Sequence, residues 1–191
     1  MKQSDRHEDI QQALEVLRKG GIILYPTDTV WGIGCDASRP EAVKRIFELK
    51  KRADSKSMIV LLDDVEKLER YAEIPEVAYE LIEAAVDPMT IIYDGAASMA
   101  RELIAEDGSV GIRVTKEEIS ASLCRGLRRP LVSTSANISG QPTPMSFNEI
   151  SQEIINGVDY VMKSRRDETD LPKPSTIIRL RPDGRFAILR K

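Results

Sequence analysis

At 191 residues and 41% hydrophobic composition the chain is long enough to bury a core as one domain, and no segment approaches the roughly twenty apolar residues that span a bilayer, so a cytoplasmic protein without a membrane partner is expected. Its 28 Lys and Arg nearly balance 31 Asp and Glu, which excludes nucleic-acid binding driven by bulk positive charge alone. A single histidine, His7, and two distant cysteines, Cys35 and Cys124, exclude histidine-based triads, multi-histidine metal sites, zinc clusters and a disulfide framework.

Residues 1–7 read as a polar leader and 8–191 as the domain proper. Ile10, Ala13, Leu14 and Leu17 recur at helical spacing, and Gly20-Gly21 supplies the left-handed residues that close a helix. Ile22 to Tyr25 is a short apolar run stopped by Pro26, as in a strand buried on both faces. Ser38-Arg39-Pro40-Glu41 has capping-box spacing with proline in the first turn and opens a helix that runs through Phe47 to Lys50. Further strands are predicted at Met58 to Leu62, Thr90 to Tyr93, Val110 to Val114, Leu131 to Thr134, Val158 to Met162, Thr176 to Leu180 and Phe186 to Leu189. Helical patterns lie at Val65 and Leu68, from Ala78 to Ala85, at Ile119 and Leu123, and at Phe147, Ile150 and Ile154. This alternation predicts an α/β fold, and Pro182-Asp183-Gly184 predicts a C-terminal hairpin that makes the sheet mixed.

Several segments carry groups suited to chemistry. Thr27, Asp28 and Thr29 follow a buried strand, where loops of open α/β sheets meet ligands; a turn that satisfies only its own backbone has the same composition. Trp31 beside them is either a pocket wall or core. Lys50-Lys51-Arg52 ends a helix and can serve an anion or merely complement the macrodipole. Ser133, Thr134, Ser135 and Asn137 precede Gly140 and can turn side-chain and backbone groups toward one ligand, although no Walker A or G-x-G-x-x-G motif is present. Arg113 in VGIRV stands on an inner strand and requires a carboxylate partner or an anionic ligand. Arg125, Arg128 and Arg129, and separately Lys163, Arg165 and Arg166, read as solvated surface clusters. Lys163 to Pro174 reads as an exposed mobile loop, either a lid or a plain connection.

In order and approximate spacing, YPTDTVWG, Lys50-x-Arg52, VGIRV, STSANISGQPTP, PSTII and ILRK resemble the YrdC family from about residue 8 onward. That resemblance implies an open twisted mixed sheet with flanking helices and a basic concave face. It further implies threonylcarbamoyl-AMP synthesis from L-threonine, bicarbonate and ATP, with pyrophosphate released, as a step in tRNA modification. By the same resemblance Lys50 and Arg52 would be catalytic. The nucleotide-binding set would be Lys50, Arg52, Lys56, Ser135 and Asn137 with Arg190 nearby, and Thr29, Arg113, Ser133 and Ser175 would face the small substrate. Magnesium would arrive with ATP rather than in a protein cage, and tRNA or another RNA and a downstream tRNA-modifying complex would be the macromolecular partners. Departures from the family pattern occur at Ala53, Lys56-Ser57-Met58, Val86 to Thr90, Trp31 and Lys173-Pro174. The competing expectation is a non-catalytic, double-stranded-RNA-binding or ribosome-assembly protein of the YciO-like branch, which typically loses the K-x-R pair and the S-A-N sequence retained here.

Overall fold

Helix α1 (Gln3–Arg18) buries Ile10, Ala13, Leu14 and Leu17 along one stripe and closes at Gly20, whose φ of 83° is the left-handed geometry glycine tolerates best. The computed structural model describes residues 3–51, 58–168 and 174–191. Residues 3–7, expected to precede the first helix, are its opening turns instead. Asp5 there complements the macrodipole, Arg6 reaches Glu118 at 2.6 Å, and His7 is exposed on the helix surface.

The predicted strand after α1 is β1 (Ile23–Tyr25), and it turns back into β2 (Gly32–Gly34), a strand that the apolar pattern did not announce. Glycine is required in β2 because a Cβ at Gly34 would stand 2.6 Å from the Val132 carbonyl oxygen and 2.8 Å from the Tyr25 ring. Close approach of ring and neighbouring strand thus leaves no room for a side chain at this point of the sheet.

Helix α2 (Pro40–Leu49) starts at its proline, but the expected capping box is absent: the N-cap is Arg39, and the Ser38 hydroxyl donates to Asp36 at 2.7 Å. The remaining elements are β3 (Ile59–Leu62), α3 (Val77–Ala84), β4 (Met89–Tyr93), β5 (Val110–Val114), α4 (Glu118–Leu127), β6 (Leu131–Ser135), α5 (Gln152–Gly157), β7 (Tyr160–Val161), β8 (Thr176–Leu180) and β9 (Phe186–Arg190). Together the strands form one sheet in the order β7-β1-β2-β6-β3-β5-β4-β8-β9. It is mixed: β1 with β7, β3 with β5 and β4 with β8 are parallel, and the other neighbours are antiparallel. Pro182-Asp183-Gly184 makes the final hairpin, with Gly184 at φ 83° and its N–H donating to the Arg181 carbonyl at 2.9 Å.

Alternation along the strands separates two faces. Val60, Leu62, Ile91, Tyr93, Ile112 and Val132 point into a core shared with α2, α3 and α5. Leu61 and Leu131 point the other way, into a second core beneath α1 and α4 with Tyr25, Ile119 and Leu123. Burying each such side chain contributes about 2 kcal/mol. Beyond those helices the second face continues through Ser133, Arg113 and Thr90, where the residues become polar. No helix of the described residues is long and apolar enough to cross a membrane.

Candidate active site

The polar part of the second face lines a cavity of about 460 Å³. Strand ends from both halves of the sheet meet there: Thr27 and Thr29 from the β1–β2 loop, Ser133 and Ser135 from β6, Arg113 from β5, Thr90 from β4, Ser175 before β8 and Arg190 from β9. Met58, Ile59 and Ile177 supply apolar wall. A volume of this order suits a small polar ligand or part of a nucleotide.

The threonine loop is organised by its own hydroxyls. Thr27 Oγ1 donates to the Val30 carbonyl at 2.7 Å and accepts from the Thr29 N–H at 3.0 Å, which tightens the turn and presents Asp28 and Thr29 to Arg113. Arg113 is only 5% exposed, and its terminal nitrogen donates to Asp28 at 2.5 Å. Its Nε donates to Thr90 at 3.2 Å. Of the two partners expected for this arginine the carboxylate is present, and its side chain also lines the cavity.

Arg190 reaches the site because of an irregularity. Ile178 pairs with Ile188, but Ile177 pairs with Arg190, so Leu189 is an extra residue on β9. In unbroken register Arg190 would oppose Thr176 and point away; the bulge carries it to the Ile177 face. There its guanidinium donates to the Ser175 carbonyl at 3.0 and 2.9 Å and to the Ser175 hydroxyl at 3.0 Å.

Lys50, expected at the nucleotide phosphates, turns its ammonium to backbone carbonyls. Its side chain is 1% exposed, and its ammonium donates to the carbonyls of Ser135 at 2.5 Å and Asn137 at 2.7 Å. Its own carbonyl accepts from the Ser139 N–H at 2.8 Å, so the end of α2 and the loop after β6 are stitched together. Asn137 is likewise directed into its loop, donating to the carbonyls of Ile138 at 3.0 Å and Gln141 at 2.8 Å. Neither side chain lines the cavity, while Ser135 does. Arg52 and Lys56 lie outside the described residues.

The expectation of a solvated cluster is corrected for Arg165 and Arg166, while the Lys163 side chain is exposed as expected. Arg165, at φ 61°, donates to the Thr27 carbonyl at 3.0 Å and to Glu117, the N-cap of α4, at 3.3 Å. Arg166 donates to the carbonyls of Met162 and Val161, both at 2.8 Å, and lies 4.6 Å over the Phe147 ring. Ser164 is fully buried on Asp9, so residues 163–168 are anchored rather than loose; residues 169–173 lie outside the described part. Trp31, buried against Phe147 with centroids 4.9 Å apart, belongs to the core.

Thr29, Arg113, Ser133 and Ser175, expected on the small-substrate side, and Ser135 and Arg190, expected at the nucleotide, all border this one cavity. Reasoning on the sequence missed Thr90, Thr143 and Met145 in its lining. For Thr90 a signal existed: it is the polar residue at an inward position of the apolar run MTIIY.

This cavity across a mixed sheet agrees with the relationships of the chain. The Sua5/YciO/YrdC family model, described as telomere recombination, matches residues 15–191, and the protein belongs to that family. A threonylcarbamoyl-AMP synthase of Xanthomonas campestris is 31% identical over 170 residues, spanning 87% of this chain and 91% of that one. The crystal structure of P. abyssi Sua5 complexed with L-threonine superposes with a TM-score of 0.82 at 32% identity, covering 90% of this chain and 50% of that one. This chain thus spans about half the length of that Sua5. E. coli YciO, at TM-score 0.82 and 29% identity, is covered over 88% of its length by 95% of this chain.

Proposed function

We propose that the protein is an L-threonylcarbamoyladenylate synthase, condensing L-threonine, bicarbonate and ATP with release of pyrophosphate and water to supply tRNA threonylcarbamoyladenosine synthesis. The observation that carries this reading is the single cavity bordered by Thr29, Arg113, Ser133, Ser135, Ser175 and Arg190, in a chain so similar to a named synthase. The threonine amine attacks bicarbonate or carbon dioxide to form a carbamate. A carbamate oxygen then attacks the α-phosphorus of ATP in line, and the bond to the pyrophosphate oxygen breaks.

No histidine is needed for this sequence of steps. The protein aligns the two substrates and offsets negative charge, with Arg113 toward the amino acid and Arg190 and the loop after β6 toward the nucleotide. Magnesium arrives as the nucleotide chelate rather than in a dedicated protein cage. Pyrophosphate release from ATP measured with and without L-threonine and bicarbonate tests the reading. Full dependence on both is expected, and release that persists unchanged without threonine rejects it. The likeness to YciO favours, as a second reading, RNA binding without turnover; steeply salt-dependent RNA affinity with no pyrophosphate release is its signature.

A further inference from the structure

The two arginines of the cavity are joined by a pair of hydroxyls. Arg113 Nε donates to Thr90 Oγ1 at 3.2 Å, Thr90 Oγ1 lies 3.2 Å from Ser175 Oγ, and an Arg190 terminal nitrogen donates to Ser175 Oγ at 3.0 Å. Thr90 is 1% and Ser175 2% exposed, yet both border the cavity. A guanidinium only donates, so both hydroxyl oxygens act as acceptors toward their arginines. Each hydroxyl owns one hydrogen, and only one of the two can lie in the contact between them. The other hydrogen has no acceptor among the described residues, and both hydroxyl-bearing residues line the cavity.

We infer that Thr90 is a positioning residue for the small substrate: with Ser175 it reserves one hydroxyl hydrogen for an anionic oxygen of the ligand, while its own oxygen orients Arg113. This rests on the synthase reading, which makes that oxygen part of the L-threonine carboxylate. Nothing in the resemblance assigned a role to this position. The pairing of Thr90 with Ile177, and the bulge that brings Arg190 opposite the same Ile177, is what assembles the chain of donors from three strands.

The test is calorimetric binding of L-threonine and of L-threoninol, which lacks the carboxylate, to the full chain with a non-hydrolysable ATP analogue and magnesium present. Wild type should prefer threonine strongly. Thr90→Val, which keeps β-branching and shape, should narrow that preference about 10-fold, the scale of one hydrogen bond to a charged group, and Thr90→Ser should restore it. Loss of fold alone would weaken both ligands together and leave their ratio unchanged. A Thr90→Val protein that discriminates as well as wild type overturns this inference and leaves the synthase reading standing. A wild-type protein that takes neither ligand overturns the synthase reading itself.

Discussion

Two buried polar networks in this molecule look alike in composition and differ in what they leave unfilled. Asp9 of α1 accepts from the Tyr160 hydroxyl at 2.7 Å, the Lys163 N–H at 3.0 Å, and the Ser164 N–H and hydroxyl at 2.8 and 2.6 Å. The carboxylate's capacity is taken up by protein donors, and the network ties the chain after β7 to α1. Farther along the same face, the Arg113, Thr90, Ser175 and Arg190 chain borders a cavity and keeps a hydrogen to give. Saturation marks a strut and incompleteness marks a site, because an unfilled polar group next to a cavity retains its free energy for a ligand.

Arg113→Ala should break this contrast most severely. It removes the cavity's buried cation and leaves Asp28 without it, so threonine-dependent pyrophosphate release should fall about 1,000-fold, the scale of losing one preorganised charge-stabilising donor or more. Retention of more than a tenth of the activity would place the amino acid elsewhere. Asp9→Ala should act on the other network alone. Unfolding in urea should show a loss of about 3 kcal/mol, from buried donors left without their charged acceptor, with little change in KM for either substrate.

Lys50→Met lies between the two cases and sharpens the distinction. Because the ammonium sits on the Ser135 and Asn137 carbonyls, we expect stability to fall by about 2 kcal/mol and ATP affinity about 10-fold together, through the displaced loop. A variant as stable as wild type that has lost ATP would show that Lys50 leaves those carbonyls to meet the nucleotide.

The pH dependence of the strut is smaller in effect and has a definite sign. Burial pushes the Asp9 carboxyl up, but hydrogen bonds from the Ser164 hydroxyl, the Lys163 N–H and the Tyr160 hydroxyl outweigh it and hold the group below its ordinary value of 3.8. The group's contribution is therefore present above that value and lost as pH falls through the lower folded value. Urea titrations of wild type and Asp9→Asn should run parallel above about pH 5 and converge in stronger acid. The smallest effect concerns the thiols: burial pushes both Cys35 and Cys124 up, so native protein should react slowly with a thiol reagent at pH 8 and quickly once unfolded.

Local rules carried much of this protein into view. The spacing of Ile10, Ala13, Leu14 and Leu17, the proline that opens α2, the buried run at Val110 to Val114 and the turn at Pro182-Asp183-Gly184 each depend on neighbours within a few residues, so their structural meaning was already present in the chain. Likewise the hydroxyl-rich stretches after β1 and β6 could be picked out as candidate ligand loops, and both line the cavity.

What only the folded chain decided is where those groups point. Lys50 turns to carbonyls 85 and 87 residues away, Arg165 clamps Thr27 across 138, and Arg190 faces the cavity because one extra residue shifts β9 against β8. Strand β2 pairs with β1 and β6 and has no room for a side chain at Gly34, where a ring and a neighbouring strand approach. Direction and partner depend on register between segments distant along the chain, and register is settled by packing of the whole sheet rather than by any residue's own preference.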